Sequence, residues 1–231
     1  MTDARTDALK EKAFIVPLES SHSPDRTFIY ADRAKRVFDI ITASMIIVFC
    51  APLMGIVALL IKLDGGPVFF GHSRVGYGHR SFACWKFRTM VVNADKALAD
   101  LLQNDPVARE IWNRDFKLPN DPRVNWLGRL LRASSIDELP QLWNVIKGDM
   151  SLVGPRPITV SELERYGANA VEYLSCRPGI TGLWQVSGRS NLSYAERVVL
   201  DTRYVRTWTF MLDIKIILRT FTVVLNRKGA F

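Results

Sequence analysis

The sequence predicts a mainly α-helical protein with a small β element, an α+β fold, attached to a membrane by one bent helix. Three observations support this prediction: a long uncharged segment, several stretches with helical spacing of apolar residues, and a short glycine-rich extended region. The chain has 231 residues, of which 48% are hydrophobic and 23% charged. This ordinary globular composition excludes a disordered or collagen-like chain, and the length allows one domain with an appendage.

The net charge indicates which classes of partner the protein could bind, and the cysteine content indicates the redox compartment in which it is found. The formal net charge of +8 favours an anionic partner such as a nucleic acid, a membrane surface or a phosphorylated substrate. The three cysteines, Cys50, Cys84 and Cys176, are odd in number and scattered, which argues against a disulfide framework and favours a reducing compartment. Cysteine and histidine residues are not closely spaced in the sequence, so a structural zinc site is not expected.

The N-terminal region, residues 1–32, is predicted to be a flexible arm. Its apolar residues are scattered, and Ser20–Pro24 has the composition of a flexible stretch. No apolar run lies near Met1, so a signal peptide is not expected.

Residues 33–62 are predicted to form a membrane segment. Its centre, Ile40–Ile61, has 22 residues without a charge, and about 18 apolar residues suffice for a membrane helix. Pro52 lies in the middle, where it removes a backbone hydrogen bond and bends a helix. Basic residues flank both ends, so charge does not assign the ends to opposite sides. These features favour a re-entrant helix over the two alternatives, a straight spanning helix and a buried helix of a soluble protein.

Residues 63–231 are predicted to form the catalytic or binding body. Extended structure is predicted at residues 67–70 and 81–85. Helices are predicted at residues 93–103 and 107–116, on both sides of Ser134-Ser135, and at residues 161–174, 194–208 and 208–225. The last of these mixes bulky apolar residues with charges, which suits either a helix lying flat on a membrane or an amphipathic helix packed on the core.

The segment Ser134–Gln141 holds the residues best suited to chemistry. Ser135 and Glu138 have the spacing of a helix capping box, and the helix dipole favours acidic residues in a first turn, so a purely structural role would explain the segment. A helix N-terminus also attracts phosphate. In a catalytic role, Asp137 would attack phosphorus as a covalent nucleophile. Glu138 would bind Mg²⁺, which prefers one or two carboxylates together with phosphate oxygens.

Basic residues around this segment are candidate phosphate ligands. Arginine suits this role because its planar guanidinium group forms paired hydrogen bonds with phosphate. Each of these residues would alternatively be a solvated surface charge. The candidates are Lys86, Arg88, Arg123, Arg132 and Arg156.

Ordered sequence blocks resemble the bacterial sugar transferases that are monotopic polyprenyl-phosphate phosphoglycosyl transferases. The resemblance runs from about residue 33 to residue 231. Its blocks are Lys35–Asp39, Gly66–Phe70, Lys86–Met90, Asp121–Arg123, Leu127–Arg129, Asp137–Gln141, Lys147–Pro157 and Arg177–Gly182. The ending Lys228–Phe231 resembles the members that initiate exopolysaccharide synthesis by transferring a hexose phosphate.

The resemblance implies a reaction and its participants. A sugar-1-phosphate would pass from a UDP-sugar, UDP-glucose or UDP-galactose, to undecaprenyl phosphate, giving undecaprenyl-diphosphate-sugar and UMP. Asp137 matches the nucleophile that forms a phosphosugar-aspartyl intermediate, and Glu138 matches its partner and Mg²⁺ ligand. Arg132 and Arg156 match positions implicated in phosphate binding, with Lys86 as a further contact.

The resemblance also implies a location, the bacterial inner membrane with the catalytic body facing the cytoplasm, where UDP-sugars and Mg²⁺ are found. It implies a re-entrant helix bent at Pro52, although Ala51 stands where the family often has a serine, whose hydroxyl can satisfy a freed carbonyl at the bend. Membrane lipid is an expected partner, an oligomer is allowed, and the uncharged segment argues against nucleic acid. The alternative function is a non-catalytic membrane-associated scaffold in polysaccharide assembly.

Overall fold

The protein is described by a computed structural model that covers residues 26–115, 118, 121–188 and 192–225. Most of the predicted N-terminal arm and the family-like ending at residues 228–231 therefore lie outside the described residues. The chain divides into two units, residues 1–34 and residues 35–231. Helix α1 spans Arg26–Lys62 and is helical through Pro52, so it begins before the predicted boundary at residue 33.

The body consists of short helices around two small sheets, which confirms a mainly α-helical fold with a small β element. The strands are β1 (Phe69–Val75), β2 (Ser81–Phe87), β3 (Ser151–Val153) and β4 (Gly179–Thr181). The helices after α1 are α2 (Ala94–Asn104), α3 (Pro106–Asp115), α4 (Trp126–Ser134), α5 (Gln141–Lys147), α6 (Val160–Leu163), α7 (Ala170–Leu174), α8 (Leu183–Ser187), α9 (Tyr194–Arg206) and α10 (Phe210–Leu225). Short 3₁₀ turns lie at Tyr77–His79, Ile136–Glu138 and Glu164–Asn169.

The predicted extended region is an antiparallel hairpin of β1 and β2, with Phe69 opposite Phe87 and Val75 opposite Ser81. The two phenylalanine rings stack with their centroids 5.4 Å apart. Strands β3 and β4 form a second, parallel pair, which the sequence did not predict. Each has three residues, too few for the alternation that identifies a strand.

The helix predicted at residues 161–174 is wrong as a single element. The chain forms α6, then a 3₁₀ turn, then α7, and Gly167 inside the turn has a φ of 52°. Residues other than glycine rarely adopt such a φ, so the glycine interrupts the helical path. The start of α6 is well specified, because Thr159 and Glu162 form a capping box.

The uncharged segment of α1 begins beside the body. Three charged residues of α1 that precede this segment are bound to the body. Lys35 pairs with the buried Asp213 of α10 at 2.5 Å, and Arg36 donates to the carbonyl oxygens of the last turn of α5. The Asp39 carboxylate accepts a hydrogen bond of 2.7 Å from the Ser151 hydroxyl of β3. All these contacts lie within residues 35–231.

The other end of the uncharged segment also contacts the body. Val57 and Ile61 are buried in a cluster with Phe87 of β2 and Leu131 of α4. The Arg88 guanidinium donates to the Ile61 carbonyl oxygen at 3.2 Å. Both ends of the segment are therefore fastened to the same compact body.

The middle of the segment is exposed and strongly apolar. Val48 is 75% and Phe49 is 86% exposed, and α1 is long and apolar enough to cross a membrane. Helix α10 is amphipathic: Asp213 and Ile216 are buried, while its other face presents large apolar side chains. The exposed ones are Phe210, Met211, Leu218 and Phe221.

Three glycines bring the β3 and β4 strands, and the loops that follow them, unusually close together. A Cβ atom on Gly179 would lie 2.1 Å from the Gly154 backbone nitrogen, and one on Gly182 would lie 2.3 Å from the Gly154 carbonyl oxygen. Real Cβ contacts are not this short, so neither position has room for a side chain. The Gly154–Pro157 loop, which carries Arg156, is thereby held against β4.

We expect Gly179→Ala to destabilise the protein by about 2–3 kcal/mol, because the new methyl group must displace backbone atoms. The melting temperature of the protein in detergent should then fall by about 5–10 °C. The control is Gly55→Ala, since nothing lies within 4 Å of a Cβ atom at Gly55. Equal melting temperatures for the two variants would contradict the proposed close contact.

Candidate active site

The site is built on a tight turn between α4 and α5. Helix α4 ends at Ser134, Ser135 has a left-handed backbone with φ 58°, and residues Ile136–Glu138 form the 3₁₀ turn. The predicted capping box is wrong, because the Ser135 side chain makes no capping hydrogen bond. A helix N-cap residue needs an extended backbone, whereas Ser135 terminates α4.

The turn brings two carboxylates to one ammonium group. The Lys86 Nζ atom lies 2.6 Å from Glu138 Oε1 and 3.5 Å from Asp137 Oδ2. Asp137 is buried at 7% exposure, whereas Glu138 is half-buried. The structure thus brings Lys86 of β2 to the adjacent carboxylates of the turn. The sequence had indicated this lysine and this carboxylate pair as candidates separately.

The two carboxylates differ in their acidity because their surroundings differ. Burial raises the pKa of Asp137, the Glu138 charge raises it further, and the Lys86 ammonium opposes both effects. For Glu138, desolvation is outweighed mainly by Lys86, so the pKa of Glu138 is lowered. Glu138 is therefore the better anion and Asp137 the more basic carboxylate, which favours Asp137 as the nucleophile once it is ionised.

A buried asparagine holds the strand that carries Lys86. Asn144 of α5 is completely buried. Its Oδ1 accepts from the Trp85 backbone N–H at 3.0 Å, and its Nδ2 donates to the Ala83 carbonyl oxygen at 2.8 Å. Asn144 forms hydrogen bonds to β2 on both sides of Cys84, so it fixes the strand against α5. It thereby fixes the backbone position from which the Lys86 side chain extends.

Two of the predicted arginines lie near the carboxylates. Arg132 donates from Nε to the Thr89 hydroxyl at 2.9 Å, and its charge helps to lower the pKa of Asp137. Arg156 is exposed, and its charge helps to lower the pKa of Glu138. Both guanidinium groups are therefore close enough to act electrostatically on the carboxylate pair, and their binding of phosphate stays a prediction.

The other two predicted arginines are held by different carboxylates. Arg88 pairs with Asp64 and donates to the Pro67 carbonyl oxygen at 2.6 Å. Arg123 pairs with Asp121 at 2.6 Å. Their guanidinium groups thus bind neighbouring carboxylates and, for Arg88, backbone carbonyl oxygens. A direct role of either residue in phosphate binding stays a prediction.

The loop that carries Arg156 is fixed on both sides. The Gly154 N–H donates to the Thr181 carbonyl oxygen at 2.9 Å, and the Val75 N–H donates to the Ile158 carbonyl oxygen at 2.9 Å. The Arg156 guanidinium carbon lies 5.8 Å from the centre of the Trp184 ring, within the range of a cation–π contact. Arg156 therefore extends from a rigid base.

The buried carboxylate of Asp201 supports this loop. It is 2% exposed and accepts a hydrogen bond of 2.8 Å from the Tyr166 hydroxyl. Burial raises the pKa of Asp201 to about 7, although Tyr166 and the Arg156 backbone N–H stabilise its charge. The folded protein therefore binds a proton at Asp201 at a pH where the unfolded chain has already lost it.

This difference predicts a pH dependence of stability. Between the ordinary pKa of 3.8 and the folded value of about 7, the folded state holds one more proton than the unfolded state, so the unfolding free energy falls as pH rises. One pKa unit corresponds to about 1.4 kcal/mol, giving a total of about 4 kcal/mol. Asp201→Asn should reduce this slope, as measured by denaturant unfolding from pH 4 to pH 7. An unchanged slope would contradict the raised pKa.

The described residues contain no group of three or more histidine, cysteine or acidic side chains arranged to hold a metal ion. The adjacent carboxylates of Asp137 and Glu138 nevertheless fit Mg²⁺, which binds one or two carboxylates and takes its other ligands from substrate phosphate and water. Such a site would be completed by the substrate.

Several residues that build the site were not predicted from the sequence. Asn144 and Trp184 belong to no motif, and Thr89 lies in the Lys86–Met90 block without a chemical signature of its own. The roles of all three depend on contacts across the fold. A signal for Asn144 was present, since a polar residue between the apolar Leu142 and Val145 on a short helix must either face solvent or find buried partners.

The fold and the site together define a class: a small α+β body with a long apolar helix and an adjacent pair of carboxylates that share one lysine. The profile of the family described as bacterial sugar transferase matches residues 30–227. The chain belongs to that family.

Relatives with assigned names support this placement. The chain is 53% identical over 197 residues to an undecaprenyl-phosphate galactose phosphotransferase of Salmonella typhimurium, covering 85% of this chain but 41% of that longer protein. It is 48% identical to the exopolysaccharide production protein ExoY of Rhizobium meliloti, covering 86% of this chain and 88% of the relative. It is 40% identical to a UDP-glucose:undecaprenyl-phosphate glucose-1-phosphate transferase of Caulobacter vibrioides, and the match covers 88% of this chain and 74% of the relative.

Proposed function

We propose that this protein transfers a hexose-1-phosphate from a UDP-sugar to undecaprenyl phosphate, giving undecaprenyl-diphosphate-sugar and UMP. The observation that carries the proposal is the buried Asp137 beside Glu138, with both carboxylates within reach of the single Lys86 ammonium group. The names of the relatives from Salmonella and Caulobacter point to the same donor and acceptor classes.

In the first step, the Asp137 carboxylate oxygen forms a bond to the sugar-bearing phosphorus of the donor. The bond from that phosphorus to the bridging oxygen breaks, and UMP leaves with the bridging oxygen. In the second step, a phosphate oxygen of undecaprenyl phosphate attacks the same phosphorus and releases the carboxylate. A covalent intermediate divides one difficult transfer into two displacements, which suits two substrates that are both anions.

The surrounding residues bind and orient these anions. Lys86 holds both carboxylates and limits their mutual repulsion. Arg132 and Arg156 would bind phosphate oxygens, and charge-assisted hydrogen bonds of this kind are among the strongest in proteins. Bound Mg²⁺ would neutralise phosphate charge, and Glu138, whose pKa is lowered, is the carboxylate that would hold it.

We propose further that the uncharged segment enters the membrane and returns to the same side. The contact of Lys35 with Asp213 and the burial of Val57 and Ile61 fasten both ends of the segment to the body. Because both ends of the segment contact one compact body, they lie on the same side of a bilayer, whose apolar layer is about 30 Å thick. The body then faces the cytoplasm of the bacterial inner membrane, where UDP-sugars are made.

The test of the reaction is release of UMP by the purified full chain supplied with undecaprenyl phosphate and a panel of UDP-sugars. We expect sustained release with UDP-glucose or UDP-galactose only when undecaprenyl phosphate and Mg²⁺ are present. Without undecaprenyl phosphate, release should stop at about one UMP per protein molecule, because the covalent intermediate is not discharged. No UMP release from any UDP-sugar would favour the alternative, a non-catalytic scaffold.

The covalent step has a separate test. A donor labelled in its sugar, given without undecaprenyl phosphate, should leave label on the denatured protein in a peptide containing Asp137. Full turnover without any labelled protein would exclude the aspartyl intermediate while leaving the overall reaction in place.

A further inference from the structure

A pocket lies at the C-terminal half of α9, apart from the residues of the carboxylate pair. Its volume is about 330 Å³. Two arginines, two threonines, an asparagine and a valine form its lining, and none of them was assigned to the site described above. The lining residues are Asn169, Val199, Thr202, Arg203, Arg206 and Thr207.

The lining of this pocket is rich in hydrogen-bond donors and contains no carboxylate. In the part of the chain that the structure describes, the Arg203 side chain has no hydrogen bond or ion pair. Arg206 pairs with Glu172, which lies outside the lining, through Nε and Nη2. Its Nη1 remains available. The pocket therefore carries net positive charge and suits an oxyanion.

A buried hydroxyl group in the pocket wall lacks a partner. Thr202 is 8% exposed, and among the described residues its Oγ1 atom, which is itself closed off from solvent, has no hydrogen-bond partner. Buried polar groups are nearly always hydrogen-bonded, and an unpaired one lowers stability. Rotation of the Thr202 side chain toward the pocket would let a ligand oxygen supply the missing partner.

The pocket also lies close to the start of the membrane segment. Thr207 is three residues before Phe210, so their Cα atoms are at most about 11 Å apart. The Phe210 ring contacts the Phe38 ring with centroids 5.1 Å apart, and Phe38 is two residues before the uncharged segment begins. The exposed Val199 adds an apolar side to the pocket. Headgroups of an adjacent bilayer would be at this level.

We propose that this pocket binds the phosphate of an acidic phospholipid headgroup, with Arg203 as the main ligand and Thr202 as a hydrogen-bond partner. The proposal rests on the membrane placement proposed above but not on the transfer reaction. An amphipathic lipid is favoured over free phosphate because the pocket combines cationic and apolar groups beside an apolar helix. Basic pockets at membrane surfaces bind acidic lipids through this chemistry.

The experiment measures binding to the full chain in neutral detergent without any UDP-sugar. Short-chain phosphatidylglycerol, short-chain phosphatidylcholine and inorganic phosphate are titrated separately, and the melting temperature is followed. Phosphatidylglycerol should stabilise the native protein, whereas phosphatidylcholine should not. Arg203→Gln should weaken the phosphatidylglycerol effect at least about tenfold in concentration. Arg80→Gln, which removes the same charge from the exposed turn after β1, should bind as the native protein does.

A second variant separates binding from folding. Thr202→Val removes the unpaired hydroxyl at nearly constant volume, so without lipid its melting temperature should equal or exceed that of the native protein, while phosphatidylglycerol should stabilise it less. Equal binding by native and Arg203→Gln proteins would overturn the proposal. Stabilisation by phosphatidylcholine equal to that by phosphatidylglycerol would also overturn it, because it would indicate adsorption by apolar contact alone. Equal stabilisation by inorganic phosphate would overturn it as well, because it would identify a site for the free anion. Each readout is independent of UMP release.

Discussion

Turnover is expected to fall by at least about 10²–10⁴-fold when Asp137 is replaced by asparagine, with the protein still folded and membrane-bound. Loss of a single general acid costs about this much, and loss of a covalent nucleophile is at least as severe. The substitution keeps the size of the side chain and removes only its charge and its basicity. The measurement is UMP release by the purified variant.

The control for this variant is Asp100→Asn, on the exposed surface of α2, which should keep native activity and native melting temperature. Near-native UMP release by Asp137→Asn would remove Asp137 from the mechanism. A large loss of melting temperature in Asp137→Asn alone would show that the carboxylate supports the fold.

The second large effect is expected for Lys86→Met, which leaves two adjacent carboxylates without their shared cation. Charge-assisted hydrogen bonds contribute about 1.5–3 kcal/mol, so activity at neutral pH should fall by one to two orders of magnitude. Because Lys86 lowers the pKa of Asp137, its removal must raise that pKa further. The acidic limb of the kcat/KM profile should therefore move to higher pH.

This pH shift distinguishes an electrostatic role from a structural one. Raising the pH should restore part of the activity of Lys86→Met but none of the activity of Asp137→Asn. The matched control is Lys147→Met, whose ammonium pairs with Asp149 at the surface and should leave the profile unchanged. A Lys86→Met enzyme with reduced activity and an unshifted profile would contradict the electrostatic role.

The elements that sequence analysis predicted were those whose patterns are local. The uncharged run of α1, the extended hairpin and the amphipathic α10 each have a periodicity or composition that is visible within the element itself. The parallel pair β3 and β4 was missed, because its strands are separated by about 25 residues and specified by close glycine contacts. The interrupted helix at Gly167 was missed for a related reason, since a single glycine does not reveal its φ in the sequence.

For the candidate site, residue types were predictable and several of their partners were not. Asp137, Glu138 and Lys86 were selected, and the structure places them in contact. The capping box was mistaken because Ser135 has two possible structural roles, ending one helix or beginning the next, and spacing alone does not choose between them. Partners such as Asn144 and Thr89 depend on contacts between distant parts of the chain.

The fastening of both ends of the α1 segment has a consequence for the order of synthesis. Asp213, which binds Lys35, is made about 150 residues after Ile61, and at about 5–20 residues per second a ribosome needs about 8–30 seconds to reach it. Phe87 and Leu131, which bury Val57 and Ile61 at the other end, are made within about the first half of that interval, so before then the finished apolar segment has neither complete anchor. In the proposed re-entrant arrangement, Pro52 and the flanking basic residues would therefore direct the nascent segment at first, and the body would later make that arrangement permanent.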